Sequence, residues 1–596
     1  MTMRAKHFFV YMASFCIMLN SCSLDLAPMD GPTSQSFPST AVEAENGLYA
    51  AYKNLSGYQG NKTPWWKVMD NITDIGVTRC NTVKYAELIT SAASGENACV
   101  VALYKNHYET IARVNLVLDG LEKLRGSADS EQTEAIRSEL LCLRAFCYNN
   151  LICHYGDVPY IDHTLSLSDK EYPRTSKKEI VEKLLADLSD ERLAYLPPRY
   201  TAADYGSARI GRVAAYGLKA RIALFWGKYA EAATAAAKAL ALAKEAGFAL
   251  QTLDLSYCGV DHEVGEPKGQ AQLFGYEGQS SNEWLWAVQY NKTIDGNTHS
   301  GTYYHSPRNL GGCAYWGPTQ AFIDMLQCKD GKSITESPLY NWQKPFANRD
   351  PRLDLYCLRP GARIMGIEFQ TSNKVKKVKN YNTGAMETNL ESQGTKGVYG
   401  ANGLKGPGGY LWRKYLDPQE LTIGAITQRS PCDLNEPLMR LAEIYLIEAE
   451  ANIEMEHGNL QLAQDDINVI RRRVEMPAIN TLDRGELRKA LRYERTVELC
   501  DEGFRWFDLR RWGMAKTVMN GKIYAPSQDG SMSNARPQID NNWYVSYHEA
   551  DTWNGEKFNL RVYHNTVFRE NKDELWPLPQ TELNTNKLIK ENNPGY

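Results

Sequence analysis

The stretch LRYERTVELCDEGFRWFDLRRWG, residues 491–513, decides the fold. Its first half has helical spacing, a Glu-Gly pair turns the chain, and a second segment rich in arginine and tryptophan follows. Arginine suits bidentate, partly buried pairs with carboxylates, so we predict a seam between packed helices in which Glu494 and Glu498 pair with arginines of the same stretch. The residues assigned to this structural motif are Glu494, Arg495, Glu498, Arg505, Trp506, Asp508, Arg510, Arg511 and Trp512.

Two helical hairpins with similar spacing flank the middle of the chain. Ala220, Ala232 and Ala239 stand 12 and then 7 residues apart, and Ala451 and Ala463 are again 12 apart. Small residues at such points let antiparallel helices approach closely, which is the tetratricopeptide pattern. The hairpins are not in tandem, and two unrelated amphipathic hairpins remain the alternative.

The middle and the end of the chain lack the helical spacing of apolar residues seen in these hairpins. Between residues 251 and 434, short apolar runs such as Trp284–Val288 indicate strands, and eight glycines between Tyr381 and Tyr410 indicate loops. We therefore predict a mainly α fold, in which a tetratricopeptide-like helical-repeat scaffold carries a loop-rich insertion subdomain with short strands. The scaffold covers about 36–250 and 435–513, the ligand-side insertion about 251–434, and an irregular tail 514–596.

The first 21 residues resemble a lipoprotein signal peptide. A short basic start precedes Phe8–Leu19, whose 12 uncharged residues are too short for a permanent membrane span. Leu19-Asn20-Ser21-Cys22 resembles a bacterial lipobox, which predicts acylation of Cys22, with palmitate among the chains. An ordinary signal peptide with a chance cysteine is the alternative.

The remainder is expected to be one domain on a tether. Residues 22–35 are short, polar and broken by two prolines, and they precede a single domain over 36–596. This arrangement predicts export and anchoring to the outer membrane by acyl chains.

Charge and cysteine content exclude several classes of protein. With 67 basic and 71 acidic side chains the net charge is −4, which argues against nucleic-acid binding. Removing Cys16 with the signal and acylating Cys22 leaves eleven cysteines without a Cys-x-x-Cys motif, so this is not a disulfide scaffold. Cys142, Cys147 and Cys153 lie on apolar helical stretches and are expected in the core.

Taken together, these segments resemble one known family, the SusD-like (SusD/RagB) nutrient-binding lipoproteins. The resemblance rests first on residues 491–513. It is supported by LMRLAEIYLIEAEA at 438–451, LLCLRAFCYNNLICHYGDVP at 140–159, LWPLP at 575–579 and NPGY at 593–596. These blocks and the lipobox span nearly the whole chain.

The resemblance implies both location and role. Proteins of this kind sit on the exterior face of the outer membrane as a lid over a SusC-like, TonB-dependent barrel transporter. They bind glycans, or peptides in some branches, and pass them on without catalysis. No cofactor is expected; some members hold a structural calcium ion, but no Asp-rich loop of the calcium-hand type is present here.

Ligand contacts are expected from aromatic residues in loops. A glycan presents hydroxyl groups around an apolar ring face, which suits flat aromatic side chains with polar groups beside them. For each aromatic residue, packing in the core is the alternative. The candidates are Trp65, Trp66, Tyr303, Tyr304, Trp316 and Trp342, with Asn61, Asp74, His305 and Arg308 as polar contacts.

Two other functions are alternatives to nutrient binding. A secreted hydrolase is disfavoured because the ten histidines form no His-Glu-x-x-His motif, and neither a Gly-x-Ser-x-Gly motif nor a Walker loop is present. Paired carboxylates are too numerous to exclude a glycoside hydrolase by motif. A pure scaffold would use its helical grooves to hold other proteins, of which the barrel partner is the most plausible.

Overall fold

A computed structural model describes residues 37–596 apart from a set of short gaps. The gaps are 57–63, 79–82, 125–129, 167–168, 170, 205, 259–271, 295–296, 392–408, 418, 420–431 and 528. The predicted signal peptide, Cys22 and the tether to residue 35 therefore lie outside the described residues, as does Asn61.

The first third of the chain is helical, as predicted. Thr40 caps the first helix, because its hydroxyl accepts from the Glu43 amide while the Glu43 carboxylate accepts from the Ser39 amide at 2.7 Å. A break near Leu188 divides the helical segment that follows Ser176 into two helices. The helices are α1 (Ala41–Lys53), α2 (Trp66–Asp70), α3 (Val83–Ile89), α4 (Ala98–Lys123), α5 (Ser130–Tyr155), α6 (Lys177–Asp187), α7 (Asp190–Leu193), α8 (Arg212–Phe225) and α9 (Tyr229–Glu245).

The two predicted hairpins pack against each other. α8 and α9 form the first, and α13 (Leu441–Glu454) and α14 (Leu460–Arg473) form the second, with α9 packed on α13. All five alanines of the pattern are fully buried, which allows this close approach. Segments far apart in sequence thus form one helical layer, continued by α15 (Arg484–Glu498), and the predicted mainly α scaffold is confirmed.

The insertion contains short helices and short antiparallel pairs of strands. β2 (Trp284–Val288) pairs with β10 (Glu436–Arg440), and Trp284 and Trp286 on β2 are buried. The other pairs are β1 with β3, β4 with β9, β5 with β6 and β7 with β8. The strands are β1 (Gly76–Thr78), β2 (Trp284–Val288), β3 (Trp316–Pro318), β4 (Cys357–Leu358), β5 (Arg363–Ile364), β6 (Ile367–Glu368), β7 (Lys377–Lys379), β8 (Met386–Thr388), β9 (Leu411–Trp412) and β10 (Glu436–Arg440). The helices are α10 (Gly301–His305), α11 (Gln320–Met325) and α12 (Arg352–Tyr356).

The tail contains more regular structure than its sequence indicated. β11 (Gly521–Ala525) pairs with β14 (Arg561–Thr566), and β12 (Gln538–Ile539) pairs with β13 (Val545–Ser546). Both pairs are antiparallel. Cys142, Cys147 and Cys153 are buried on α5, as predicted. Helix α16 (Arg505–Arg511) precedes the tail, and the tail elements are α17 (Ala515–Val518), β11 (Gly521–Ala525), β12 (Gln538–Ile539), β13 (Val545–Ser546), β14 (Arg561–Thr566) and α18 (Gln580–Thr585).

Residues 491–513, hereafter the hallmark stretch, form a buried seam. The prediction that Glu494 and Glu498 pair with arginines of the same stretch is wrong. Glu494 pairs with Arg352 and Arg471, each at 2.6 Å, and both arginines lie outside the stretch. Arg495 pairs with Asp508 at 3.0 Å. Arg511 pairs with Asp508 at 2.7 Å and with Glu450, and Arg510 donates to the Cys153 carbonyl and stacks on Trp506. Side chains from distant elements therefore complete the seam.

Arg440 is the centre of this seam. Its guanidinium lies 2.6 Å from Glu283, 2.8 Å from Glu498 and 2.7 Å from Glu502, and all four side chains are buried. Burial alone would raise the pKa of Glu498, but the nearby arginines, Arg473 first and then Arg440, hold it well below its usual range. One cation thereby links the start of β2, the end of α15 and the turn that follows α15.

Asp70 and Asp74 attach α2 to the hallmark turn. The Asp70 carboxylate accepts from the backbone amides of Glu502, Gly503 and Arg505 at 3.1, 3.0 and 2.8 Å. Burial raises the pKa of Asp70 to about 7, against the opposing effect of these amides. Asp74 forms a bidentate pair with Arg505 at 2.9 and 2.7 Å.

A buried pair of carboxyl groups lies between the helices of the second hairpin. Glu448 on α13 lies beside Asp466 on α14, and both are buried. Burial, and then the Glu448 carboxylate, raises the pKa of Asp466 to about 9. The pair therefore shares a proton at neutral pH.

We expect Asp466→Asn to stabilise the protein at alkaline pH. An unfolded aspartate loses its proton near 3.8, while the folded one keeps it until about 9, so the folded state loses stability as pH rises between these values. The amide removes this titration. Unfolding by urea from pH 5 to 9 should show the variant less pH-dependent and more stable than the wild type by about 1 kcal/mol or more at pH 8. Asp465→Asn, on the exposed face of the same helix, is the control, and identical profiles for Asp466→Asn and wild type would contradict the expectation.

Candidate functional site

Trp65 and Trp66 belong to the core rather than to an exposed loop. Trp66 begins α2, and both side chains are about 5% exposed. The Trp66 indole donates to Glu436 at 2.5 Å, and Trp65 packs edge-to-face on His107 and His154. The expectation that they offer loop surfaces to a ligand is therefore corrected, because helix packing covers their rings.

The second predicted aromatic group is also largely buried. Tyr303, Tyr304 and His305 lie on α10 rather than in a loop, and Trp316 lies on β3. His305 contacts the buried Asp501 at 3.0 Å and packs on Trp316. These four side chains form an internal cluster, which corrects their placement in exposed loops.

The remaining predicted contacts are dispersed. Trp342 lies half-buried in a turn, and Arg308 is buried 3.7 Å from Glu391. Asp74 is buried against Arg505, yet it also lines the cleft described next. The structure therefore does not bring the predicted contacts together into one surface.

The structure shows a cleft of about 430 Å³ in the tail, hereafter the tail cleft. One wall is β11, and the other is the segment around β13. Asp74 and Ala321 contribute from the body of the protein. The lining side chains that carry aromatic or polar groups are Asp74, Asn520, Lys522, Tyr524, Tyr544, Ser546, Tyr547, His548, Glu549 and Thr566.

Three tyrosines give the tail cleft its aromatic surface. Tyr524 and Tyr547 pack edge-to-face with ring centroids 5.3 Å apart, and the Tyr547 hydroxyl donates to Asp324 at 2.6 Å. Tyr544 is half-buried on the segment between β12 and β13. Burial, followed by Asp74 and Asp540, raises the pKa of Tyr544, which keeps its hydroxyl protonated. Two rings are therefore fixed by packing, and the third presents part of its surface.

Charged and polar groups complete the walls. Lys522 on β11 pairs with Glu549 at 2.9 Å, and both side chains are exposed. His548, Asn520 and Ser546 add polar groups at the same walls. Aromatic faces beside such groups suit a ligand that combines flat apolar surface with many hydroxyl groups.

Sequence reasoning missed the tail cleft because it treated residues 514–596 as irregular. A usable signal was present in Trp543-Tyr544-Val545-Ser546-Tyr547-His548, where apolar and polar side chains alternate. Such alternation is typical of a strand with one solvated face. The opposite wall, β11, is distant in sequence, and no local pattern pairs the two.

Two further observations concern the described residues only. No cluster of three or more histidine, cysteine or carboxylate side chains is placed there to hold a metal ion. None of the helices in the described part of the chain has the length and apolarity needed to cross a membrane.

Known proteins resemble the chain over most of its length. SusD-like proteins P38 and P2 of Formosa agariphila are 24% and 23% identical, over 86% and 98% of this chain and 92% and 99% of their own. A SusD-like carbohydrate-binding protein of Bacteroides fragilis matches with a TM-score of 0.71 at 23% identity, over 92% of this chain and 99% of its own.

Another solved structure and the family models agree with these matches. A surface glycan-binding protein A of Bacteroides thetaiotaomicron, in complex with laminarihexaose, matches with a TM-score of 0.59 at 17% identity over 93% of this chain and 99% of its own. A family model described as starch-binding, associating with outer membrane, matches residues 31–224. The model of the SusD family matches residues 282–596, more than half of the chain. The mainly α scaffold with its loop-rich insertion is therefore a SusD-like fold, and the chain belongs to the SusD family.

Proposed function

We propose that this protein binds oligosaccharides in the tail cleft. The observation that carries the proposal is a cleft of about 430 Å³ in which three tyrosines lie beside side chains that donate and accept hydrogen bonds. Aromatic rings cover the apolar face of a sugar, and the polar groups take its hydroxyls. The carbohydrate ligands named for two solved relatives of the same fold support this choice of ligand class over peptides.

The protein acts in this proposal by binding, without turnover. The two carboxylates of the tail cleft are both engaged, Asp74 with Arg505 and Glu549 with Lys522. Hydrolysis of a glycosidic bond requires a carboxylic acid and a second carboxylate directed at the substrate. Release of reducing sugar from any bound oligosaccharide would reject this part of the proposal.

We expect Tyr544→Ala to weaken oligosaccharide binding about tenfold. The substitution removes the half-buried ring from the cleft wall, and loss of one stacking contact of about 1.4 kcal/mol gives that factor. Calorimetry with a panel of neutral gluco-, manno- and xylo-oligosaccharides measures it. Tyr195→Ala, which removes an exposed tyrosine from the helical scaffold, is the matched control. Equal affinity of wild type and Tyr544→Ala would place the binding site elsewhere.

The proposal extends to location and partner. Acylation at Cys22 anchors the mature chain to the outer membrane, facing the exterior, and the bound glycan passes to a SusC-like, TonB-dependent transporter. The lipobox and the family description that mentions the outer membrane support this extension. Labelling of cells with a palmitate analogue should mark the wild type but not Cys22→Ser, and the transporter should co-purify in detergent. An unlabelled wild-type chain, or purification without any barrel protein, would reject it.

A further inference from the structure

A small sheet on the insertion carries a concentration of positive charge, hereafter the basic sheet. It consists of two antiparallel hairpins, β5 with β6 and β7 with β8. A bridge between Ile367 and Asn380 joins them. The two hairpins therefore meet at this one bridge, while β7 itself pairs along its length with β8 alone.

The solvent-facing side of the basic sheet displays lysines. Val378 on β7 is fully buried, whereas Lys377 and Lys379 on either side of it are exposed. Alternate residues of a strand point to the same face, so the two lysines share the outer face. Lys379 lies opposite Met386, whose side chain is 55% exposed. Cationic and apolar groups thus stand side by side in solvent.

More cations surround these two lysines. The Arg363 guanidinium lies 4.8 Å, and the Lys379 ammonium 4.7 Å, from the centre of the Tyr381 ring. Lys374 and Lys376 are also exposed, and Lys374 pairs with Asp529 at 3.0 Å. Within the described part of the chain, no carboxylate lies within 4.0 Å of the ammonium groups of Lys376, Lys377 or Lys379.

The acidic side chains on the basic sheet do not balance the positive charge of Arg363 and the lysines. Glu368 accepts from the Lys379 backbone amide, and Glu387 accepts from the Asn380 side chain. Arg363 and four lysines therefore outnumber Glu368, Glu387 and Asp529 on the sheet and beside it, in a chain whose net charge is −4. An anion that approaches this face meets a local field opposite in sign to that of the whole chain.

Protection of a sheet edge is the competing explanation for the lysines. Proteins place lysine on edge strands to prevent pairing with other chains. Lys377 and Lys379 lie on β7, which pairs with β8 on one side and meets β6 on the other only through the bridge at Asn380. Like charges on one face of a sheet are unfavourable, so their placement calls for a compensating partner.

The basic sheet is attached to the tail cleft. The Ser372 hydroxyl, shortly before β7, donates to the Asp529 carbonyl at 2.7 Å. Asp529 follows closely on β11, the strand that forms one wall of the cleft. This hydrogen bond therefore ties the segment before β7 to the segment that follows the cleft strand β11.

We propose that the basic sheet binds the sulfate or carboxylate groups of a polyanionic glycan. The inference rests on the proposed function and specifies its substrate class as an anionic polysaccharide. The lysines and Arg363 attract the acidic groups, and Tyr381 and Met386 offer apolar contact to the sugar rings between them. The attachment to the cleft strand favours a glycan over a lipid surface.

Dextran sulfate, with uncharged dextran of the same length, is the probe that tests the inference. The chain from residue 23, which lacks only the signal peptide and Cys22, should bind dextran sulfate more tightly than dextran at 50 mM salt and lose the difference at 500 mM, because salt screens exposed charges. The double variant Lys377→Gln/Lys379→Gln should bind dextran sulfate about tenfold more weakly, the effect of two surface ion pairs of ordinary strength. Lys587→Gln/Lys590→Gln removes the same charge from an exposed region near the chain end and should match the wild type.

Each other outcome has a defined meaning. Equal binding of dextran sulfate by wild type and the double variant, or an equal loss in the control, overturns the inference. Lysine-dependent binding to phosphatidylglycerol vesicles without binding to dextran sulfate also overturns it, in favour of a membrane contact. If neutral oligosaccharides still bind through Tyr544 while dextran sulfate does not, the inference fails and the proposed function stands; if neither binds, both fail.

Discussion

Arg440→Met is expected to lower the free energy of unfolding by about 3–5 kcal/mol, the usual cost of removing one partner from a buried ionic network. The substitution leaves Glu283, Glu498 and Glu502 buried without the cation that contacts all three. Methionine keeps much of the volume of arginine, so the loss reflects charge and hydrogen bonding rather than a cavity.

Urea unfolding followed by circular dichroism measures this effect. Arg472→Met on α14 is the matched control, since that arginine is exposed, and it should change stability by less than about 0.5 kcal/mol. If Arg440→Met and the wild type have the same free energy of unfolding, the seam does not hold these elements together. A variant that does not accumulate while Arg472→Met does is the extreme form of the expected result.

Asp70→Ala is expected to have an effect of similar size, on the order of 3 kcal/mol. It removes the acceptor of three buried backbone amides, those of Glu502, Gly503 and Arg505. A buried donor left without a partner costs its full desolvation penalty, which exceeds the net worth of the lost bond. The turn between α15 and α16 should therefore loosen from α2.

Hydrogen exchange and thermal unfolding together check this second expectation. The amides of residues 502–505 should exchange faster in Asp70→Ala, while those of α9 and α13 keep their protection. Asp70→Asn, which retains one acceptor oxygen, should fall between Asp70→Ala and wild type. Unchanged exchange at the turn would show that Asp70 does not hold it.

The prediction from loop context and the structure assign different roles to the aromatic residues. Trp66, Tyr304 and Trp316 are large aromatic residues of the kind that binds sugars, yet the structure buries all three. These three residues therefore pack in the interior of the fold, although the same residue types also recognise ligands. Tyr544 and Tyr547, in a segment without a distinguishing motif, lie in the cleft instead.

The helical scaffold could be predicted because its signals are local. Thr40 and Glu43 mark the start of a helix, and the spacing of Ala220 and Ala232 indicates close packing of neighbouring helices. The hallmark stretch likewise identified the buried seam and its glycine turn. Its ion-pair partners could not be predicted, because Arg352, Arg440 and Arg471 approach it from elements far away in sequence.

The amino-acid sequence by itself determined the mainly α class, the two alanine-rich hairpins and the membership of Arg495, Arg505 and Asp508 in a buried seam. These features follow from helical periodicity, capping and the need of buried charges for partners, all of which act over short stretches. Only the tertiary structure decided which carboxylate meets which arginine, that Trp66 is covered, and that Tyr524 and Tyr544 face one cleft. Those outcomes depend on which distant surfaces meet when the apolar faces are buried, and no local pattern records that choice.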